Sequence, residues 1–274
     1  MKPFYKSKIW YSYLILAAFF GGMLIFGLYE CCFVEQWYDA YSWVINYDII
    51  MSFLSVQVNI MSIVWLVFLV INYDRRGRGI TSEGFTRSLL NWNLIVFIIF
   101  WIGIIYSFVE GEMKLNLYTK NQIACTIATH FVCPLYIFIM YLITSGTTKL
   151  SYTKFWKEKD IYIAGLYPFC YLFYVYFRGL IYMKDLSHST INGDRWYHEQ
   201  ATWPYPFTMF EKSKLFVGNS VAGYIILLIV VFALWIYLQH IFLIWVNNAV
   251  HNFKNKHSEK IITWWKTKVL RLKK

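Results

Sequence analysis

A hydroxyl nucleophile and an imidazole each stand inside a hydrophobic stretch long enough to cross a bilayer. Ser55 lies in Phe53-Leu54-Ser55-Val56-Gln57-Val58-Asn59, and His130 in Thr129-His130-Phe131-Val132-Cys133-Pro134. Polar and ionisable side chains at that depth are costly and by default mark a functional site. A serine hydroxyl attacks once a base takes its proton, and an imidazole titrates near neutral pH. Asn59, one turn beyond Ser55, is placed to donate to an oxyanion or to fix a water. Gln57 is on a different face and is carried as a substrate contact of less definite role. Arg178 has the donor fork that holds a carboxylate or a phosphate. No span offers an acidic partner for His130, so a full Ser-His-Asp triad is not supported. Asp48, Glu110 and Glu112 lie at outer ends, and nothing selects one of them.

Spacing gathers these residues into stripes. Ser52, Ser55, Asn59 and Ser62 fall on one face of a helix, as do Thr126, His130 and Cys133. Tyr167, Tyr171, Tyr174, Arg178 and Tyr182 form a third stripe, and Tyr171 and Tyr174 join Arg178 as expected substrate contacts. The economical arrangement points all three stripes at one interior cavity. The bland readings stand beside it. Small and hydroxyl residues commonly pack membrane helices together, a histidine is often a hydrogen-bonded structural residue, and an arginine near a helix end often snorkels to the headgroups. His188, His198 and Glu199 share an outer segment, but their spacing matches no helix-borne ligand pair, so no metal site and no cofactor are expected.

The elements that must position these side chains are membrane helices. The chain is 58% hydrophobic, 22% aromatic and only 15% charged, which excludes a soluble monomer. Mostly apolar runs of about 18 residues or more predict transmembrane helices, here over 9–29, 50–71, 90–109, 123–145, 161–182 and 216–248. The expected fold is therefore all-α, a polytopic membrane protein of six transmembrane helices. Residues 1–250 form the membrane domain and 251–274 a basic tail. The first span is read as a membrane helix and not a cleaved signal peptide, because Glu30-Cys31-Cys32 is a poor cleavage motif. No internal repeat is visible, which weakens an inverted-repeat transporter reading.

Lysine and arginine set the orientation. The N-terminus, the second and fourth loops and the tail together hold nineteen of them, against six in the alternate loops. Both termini are accordingly expected in the cytoplasm, and the net charge of +11 reports topology and not nucleic-acid binding. The tail reads equally as a basic amphipathic helix on anionic lipid or as a flexible topology signal. Five cysteines make no disulfide framework. The excess of lysine over arginine, with abundant Ile, Tyr, Phe and Asn, fits an AT-rich bacterial genome. With this topology Ser55 and His130 lie about 8 and about 10 Å below the outer ends of their spans, and Arg178 about 6 Å from its own, from the rise per residue.

In order along nearly the whole chain, Ser55-x-Gln57-x-Asn59, His130-x-x-x-Pro134, Tyr167-Pro168, Arg178-Gly179 and Tyr205-Pro206-Phe207 resemble the signature elements of the androgen-induced family of multi-pass membrane hydrolases and its bacterial branch. The eukaryotic members hydrolyse esters of fatty acids with hydroxy fatty acids, using an intramembrane threonine and a histidine. The resemblance implies Ser55 at the threonine position and His130 at the histidine position. Serine for threonine is a departure that keeps the hydroxyl but loses the methyl that restricts its rotamer.

Three function classes follow. The first is a serine- or threonine-type hydrolase of lipid acyl esters drawn from the bilayer. The second is a non-catalytic transporter or lipid-binding protein whose polar cavity recognises an anionic head. The third is a membrane scaffold. Membrane lipids are the expected partners in each.

Overall fold

The computed structural model describes residues 7–38, 42–75, 77–109, 118–157, 159–186, 202–210 and 217–256. Its long helices are α1 (Lys8–Tyr29), α2 (Trp43–Ser52), α3 (Leu54–Ile71), α4 (Glu83–Val109), α5 (Lys120–Ile127), α6 (Cys133–Thr144), α7 (Lys159–Leu186) and α8 (Val221–Lys256). A π turn over Ala128–Val132 joins α5 to α6, and another over Glu30–Val34 extends α1. Among the described residues, five helical stretches are long and apolar enough to cross a membrane: Lys8–Val34, Leu54–Ile71, Glu83–Val109, Lys120–Thr144 and Val221–Lys256. α7 has the length, but its tyrosines, Arg178 and terminal charges leave it outside that set. Large apolar side chains such as Ile25, Phe108, Ile71 and Leu234 are turned outwards, as a lipid-facing surface requires.

α3 packs on α1 and α4, α4 on α7, and α8 closes the bundle against α4 and α7. One end of the bundle is knit by polar bonds. Ser7 pairs with Tyr73 at 2.5 Å, and Thr147 donates to Glu83 at 2.6 Å. Asn247 and Asn248 hold the backbone of residues 146–150. The start of α1 and the end of α8 therefore share an end with Arg75, Arg78, Lys149 and Lys154. Gly146, at φ 76°, packs so close to the His251 amide that a Cβ would meet it at 2.8 Å.

Of the boundaries that differ from the expectation, two change how the chain is divided. The second span starts at Leu54, because Phe53 is extended (φ −72°, ψ 132°) and breaks the helix. Residues 50–52 belong to α2. α8 runs on to Lys256, so the expected tail boundary at 251 falls inside a helix. The rest of that tail, Glu110 and Glu112, and the His188, His198 and Glu199 segment lie outside the described residues.

No glycine or proline makes the break at Phe53; side chains from elsewhere sustain it. A broken helix in lipid must satisfy its freed backbone groups within the protein. The Ile49 carbonyl accepts from the Ser52 hydroxyl at 2.6 Å, and the Ile50 carbonyl from the Phe53 amide at 3.3 Å. The Met51 carbonyl accepts from the Gln57 amide at 2.9 Å, and the Ser52 carbonyl from the Tyr171 hydroxyl at 2.9 Å. On the α3 side, the Ser55 amide donates to the Tyr205 phenol oxygen at 3.4 Å.

Candidate active site

Ser55 is the second residue of α3, buried at the break. Its backbone N–H has no intrahelical acceptor and reaches the Tyr205 phenol instead. The Ser55 side chain faces the same phenol, whose pKa burial pushes up to about 12 despite the hydrogen bonds from Ser55. Tyr205 is itself held in place. Its amide donates to the Thr208 hydroxyl at 3.2 Å, that hydroxyl donates back to the Tyr205 carbonyl at 2.7 Å, and Pro206 fixes the turn between them. The ring stacks on Phe207 and meets Phe53 edge-on.

His130 sits in the π turn of Ala128–Val132. Pro134 explains that turn: it has no N–H to give the carbonyl four residues back, and its ring would clash there. The chain therefore takes one extra residue per turn, with the Cys133 amide donating to Ala128. Such π turns recur at functional sites. The imidazole Nδ1 is 3.0 Å from the Thr126 carbonyl. A carbonyl only accepts, so Nδ1 carries the proton and Nε2 holds the lone pair. Phe100 of α4 lies against the ring at 4.8 Å between centroids, and the Thr129 hydroxyl is 3.0 Å from Nδ1.

Ser55 and His130 are not hydrogen-bonded to each other. Asn59 links them. Its side-chain amide donates to the Ser55 carbonyl at 2.7 Å and to the Thr129 carbonyl at 3.2 Å. Both of its N–H groups are thereby spent, which leaves none for the oxyanion role read from the sequence.

The remaining site residues serve the fold. Gln57 donates to Met51 and accepts from the Tyr167 hydroxyl at 3.1 Å, and Tyr171 donates to Ser52. Arg178 is buried as expected, but its partner is in the chain. Asp48 of α2 takes bonds from Nη2 at 2.6 Å and Nε at 3.0 Å. Nη1 reaches the Thr202 carbonyl at 3.4 Å, and the guanidinium lies 4.3 Å over the Tyr182 ring. Asp48 thus serves Arg178 and not His130. Tyr174, by contrast, is 41% exposed, though its ring still lies against that of Tyr171 at 6.3 Å between centroids. The serine stripe is largely a packing face, with Ser62 accepting from Asn93 of α4 at 2.9 Å.

Next to Leu54 and Tyr171 an apolar cavity of about 110 Å³ opens between α7 and α8, walled by Leu172, Phe207, Leu228 and Phe232. Gly165 and Pro168 on α7 and Ala233 on α8 leave the room for it. It is small beside the ~300 Å³ of an ordinary small-molecule pocket and almost wholly apolar, which suits a stretch of one acyl chain. Tyr205 and this cavity were not assigned from the sequence; the Tyr205-Pro206-Phe207 element was the one signal pointing there. Comparison with models of known protein families, with curated proteins and with solved structures gave no match in any of the three.

Proposed function

We propose that this chain is an intramembrane hydrolase of lipid acyl esters, with Ser55 as nucleophile and His130 as general base. The observation that carries the reading is Asn59, which ties the backbone of Ser55 to that of the residue preceding His130. The fixed His130 tautomer, with Nε2 free to take a proton, and the acyl-sized cavity beside Leu54 support it. So does the resemblance noted above.

In this mechanism the Ser55 hydroxyl attacks the ester carbonyl and its proton passes to His130 Nε2. The Tyr205 phenol, beside Ser55, donates to the developing oxyanion in place of Asn59. His130 then protonates the leaving alcohol, and water enters to release the fatty acid and regenerate the serine. Closing the nucleophile–base distance to hydrogen-bond reach belongs to the substrate complex, since catalytic hydrogen bonds often tighten only there. α7 serves as the sixth span. The lysine- and arginine-rich end faces the cytoplasm, both described ends of the chain included, in the bacterial membrane that the composition suggests.

A second reading, a lipid-binding or transport protein without chemistry, is favoured by the lack of a direct Ser55–His130 bond and by the apolar cavity. Turnover separates the two. Purified protein in nanodiscs is given a panel of acyl esters, including esters of hydroxy fatty acids. The hydrolase reading expects turnover that Ser55→Ala abolishes and Ser55→Thr partly keeps. It further expects Ala233→Phe to depress long-chain esters more than short ones. Absence of turnover on every ester, with lipid still bound, moves the second reading ahead.

A further inference from the structure

The apolar cavity beside Leu54 has a direction as well as a volume. α7 and α8 run antiparallel along it. Near the lysine-rich end Asp160 of α7 meets His240 of α8 at 3.6 Å. Towards the other end the Phe210 ring bridges Tyr176 and Tyr224, at 5.2 and 6.0 Å between centroids. Between these ties Leu172 comes level with Leu228, and Gly165 with Ile236, and all four line the cavity. From Gly165 to Leu172 the helix rises about 10 Å. The cavity is therefore a groove that follows the helix axes, and about 110 Å³ drawn out over that length leaves it narrow. Its back wall, Tyr171, Leu172, Leu228 and Ile236, is buried. Its open side is not: Phe169 is 45% exposed and Ala233 is exposed as well.

The gap between the helices is built. A Cβ added at Gly165 would meet nothing within 4 Å. Pro168 has no N–H for the Ala164 carbonyl, and the Trp92 indole of α4 donates to that carbonyl at 2.9 Å instead. α7 is thereby tied to α4 at the level of the groove. Leu54 marks the end remote from the lysines, since α3 starts there and reaches the lysine-rich end only at Ile71. Water gains nothing in so apolar a space, and α8 is apolar enough to cross a membrane, so the medium outside the open side is hydrocarbon. We propose that the groove binds one straight acyl chain of a lipid in the leaflet remote from the lysine-rich end. The chain enters sideways between Phe169 and Ala233, its carbonyl end at Leu54 and its distal carbons returning past Ala233 to the bilayer. Selection then falls on the carbons nearest the carbonyl: branches and rings are excluded, and total length is not limited. A cavity of about 150 Å³ admits benzene; this one is smaller and drawn out. The binding stands on the groove alone. Its chemical consequence rests on the hydrolase reading above, under which the substrate class is an ester of an unbranched fatty acid.

The test reads binding without turnover. Full-length protein in nanodiscs is given a phosphatidylcholine with a photoactivatable diazirine near the carbonyl of one acyl chain, and labelled peptides are mapped by mass spectrometry. The label is expected to concentrate on residues 165–172 and 228–236, above its level on the outward face of α1. Gly165→Leu, which places its side chain in open space, and Ala233→Phe, which narrows the mouth from the other helix, should each unfold at the wild-type temperature and lower that label about tenfold. Unlabelled straight-chain lipid should displace the label about tenfold better than lipid with methyl-branched chains, the cost of forcing extra methyls into a filled space. Label spread evenly over the outward faces overturns the proposal, as does a groove left unlabelled because a second copy of the chain covers it. Equal displacement by branched chains, or label that survives both substitutions, also overturns it. A labelled groove in protein that cleaves no ester upholds the chain site and contradicts the hydrolase reading; turnover with an unlabelled groove does the reverse.

Discussion

A methyl group added at Gly179 is expected to unseat the segment that holds the nucleophile. A Cβ built there would lie 2.1 Å from Trp203 Cζ3 and 2.2 Å from Cη2. The ring has little room to retreat: it is buried and meets Phe210 at 5.1 Å. Alanine in mid-helix is worth about 1 kcal/mol over glycine by propensity. Overpacking costs about 1–3 kcal/mol, and the overlap here exceeds an ordinary contact by more than 1 Å on the scale of carbon–carbon packing. With so close an approach the clash should win, for a net loss of up to about 2 kcal/mol. Relief by lifting Trp203 would also move Thr202, the acceptor of Arg178, and Tyr205, the partner of Ser55. The assay is a double-mutant cycle with Trp203→Ala, read as thermal unfolding in detergent and as ester turnover. Gly179→Ala alone should lower stability and turnover together. In the Trp203→Ala background the same substitution should become neutral or stabilising, because the atoms it strikes are gone. Gly179→Ala as stable as wild type would refute the packing of Trp203 over α7.

Other substitutions read other links of the chain. Pro134→Ala supplies the missing N–H for the His130 carbonyl; it should close the π turn, rotate the preceding helix by roughly 100°, and lower turnover without lowering thermal stability. Asp48→Asn should leave Arg178 buried without its counter-charge and lower stability by about 1–3 kcal/mol, less than for a fully buried pair because the Asp48 side chain is 40% exposed. Turnover per folded molecule should hold; an unchanged melting temperature with a raised KM would instead make Arg178 a substrate clamp. Burial opposes ionisation of Glu35, but hydrogen bonds from Thr119, Trp37 and Asn121 outweigh it and hold its carboxyl below the usual range. That contribution to stability is complete above the unfolded value of about 4.3 and is lost as pH falls through the folded one. Hydrogen exchange should show residues 35–38 and 118–122 losing protection together in acid and at no higher pH.

The membrane helices were legible because an apolar run of bilayer length has few other uses: those over 9–29 and 90–109 fall inside observed helices, and that over 123–145 overruns its helix by one residue. The break at Phe53 was not legible. It has no Gly or Pro, and what sustains it is Gln57, Tyr171 and Tyr205, two of them distant in sequence. The same fact explains why the polar stripes were only half understood: Tyr171 points inwards as its spacing implies, and Gln57, read on a different face, joins it, each donating to a backbone carbonyl at the break. Arg178 was read as a substrate contact because Asp48 lies in a separate short helix, and pairing across elements leaves no periodic trace. The Arg87–Asp160–His240 cluster stayed hidden for a related reason. Arg87 and Asp160, paired at 2.6 Å, lie near helix starts, where charges ordinarily report topology, and His240 stands alone in mid-α8.

The central claim, that Ser55 is a nucleophile activated by His130, is tested most directly by locating a covalent adduct. Purified wild type, Ser55→Ala and His130→Ala are treated with a fluorophosphonate, digested, and mapped by mass spectrometry. The account predicts one adduct on the Ser55 peptide of wild type, lost in Ser55→Ala and strongly slowed in His130→Ala, because groups that act as one unit fail together. An adduct on another residue, or an unlabelled wild type that also hydrolyses no ester, would contradict it.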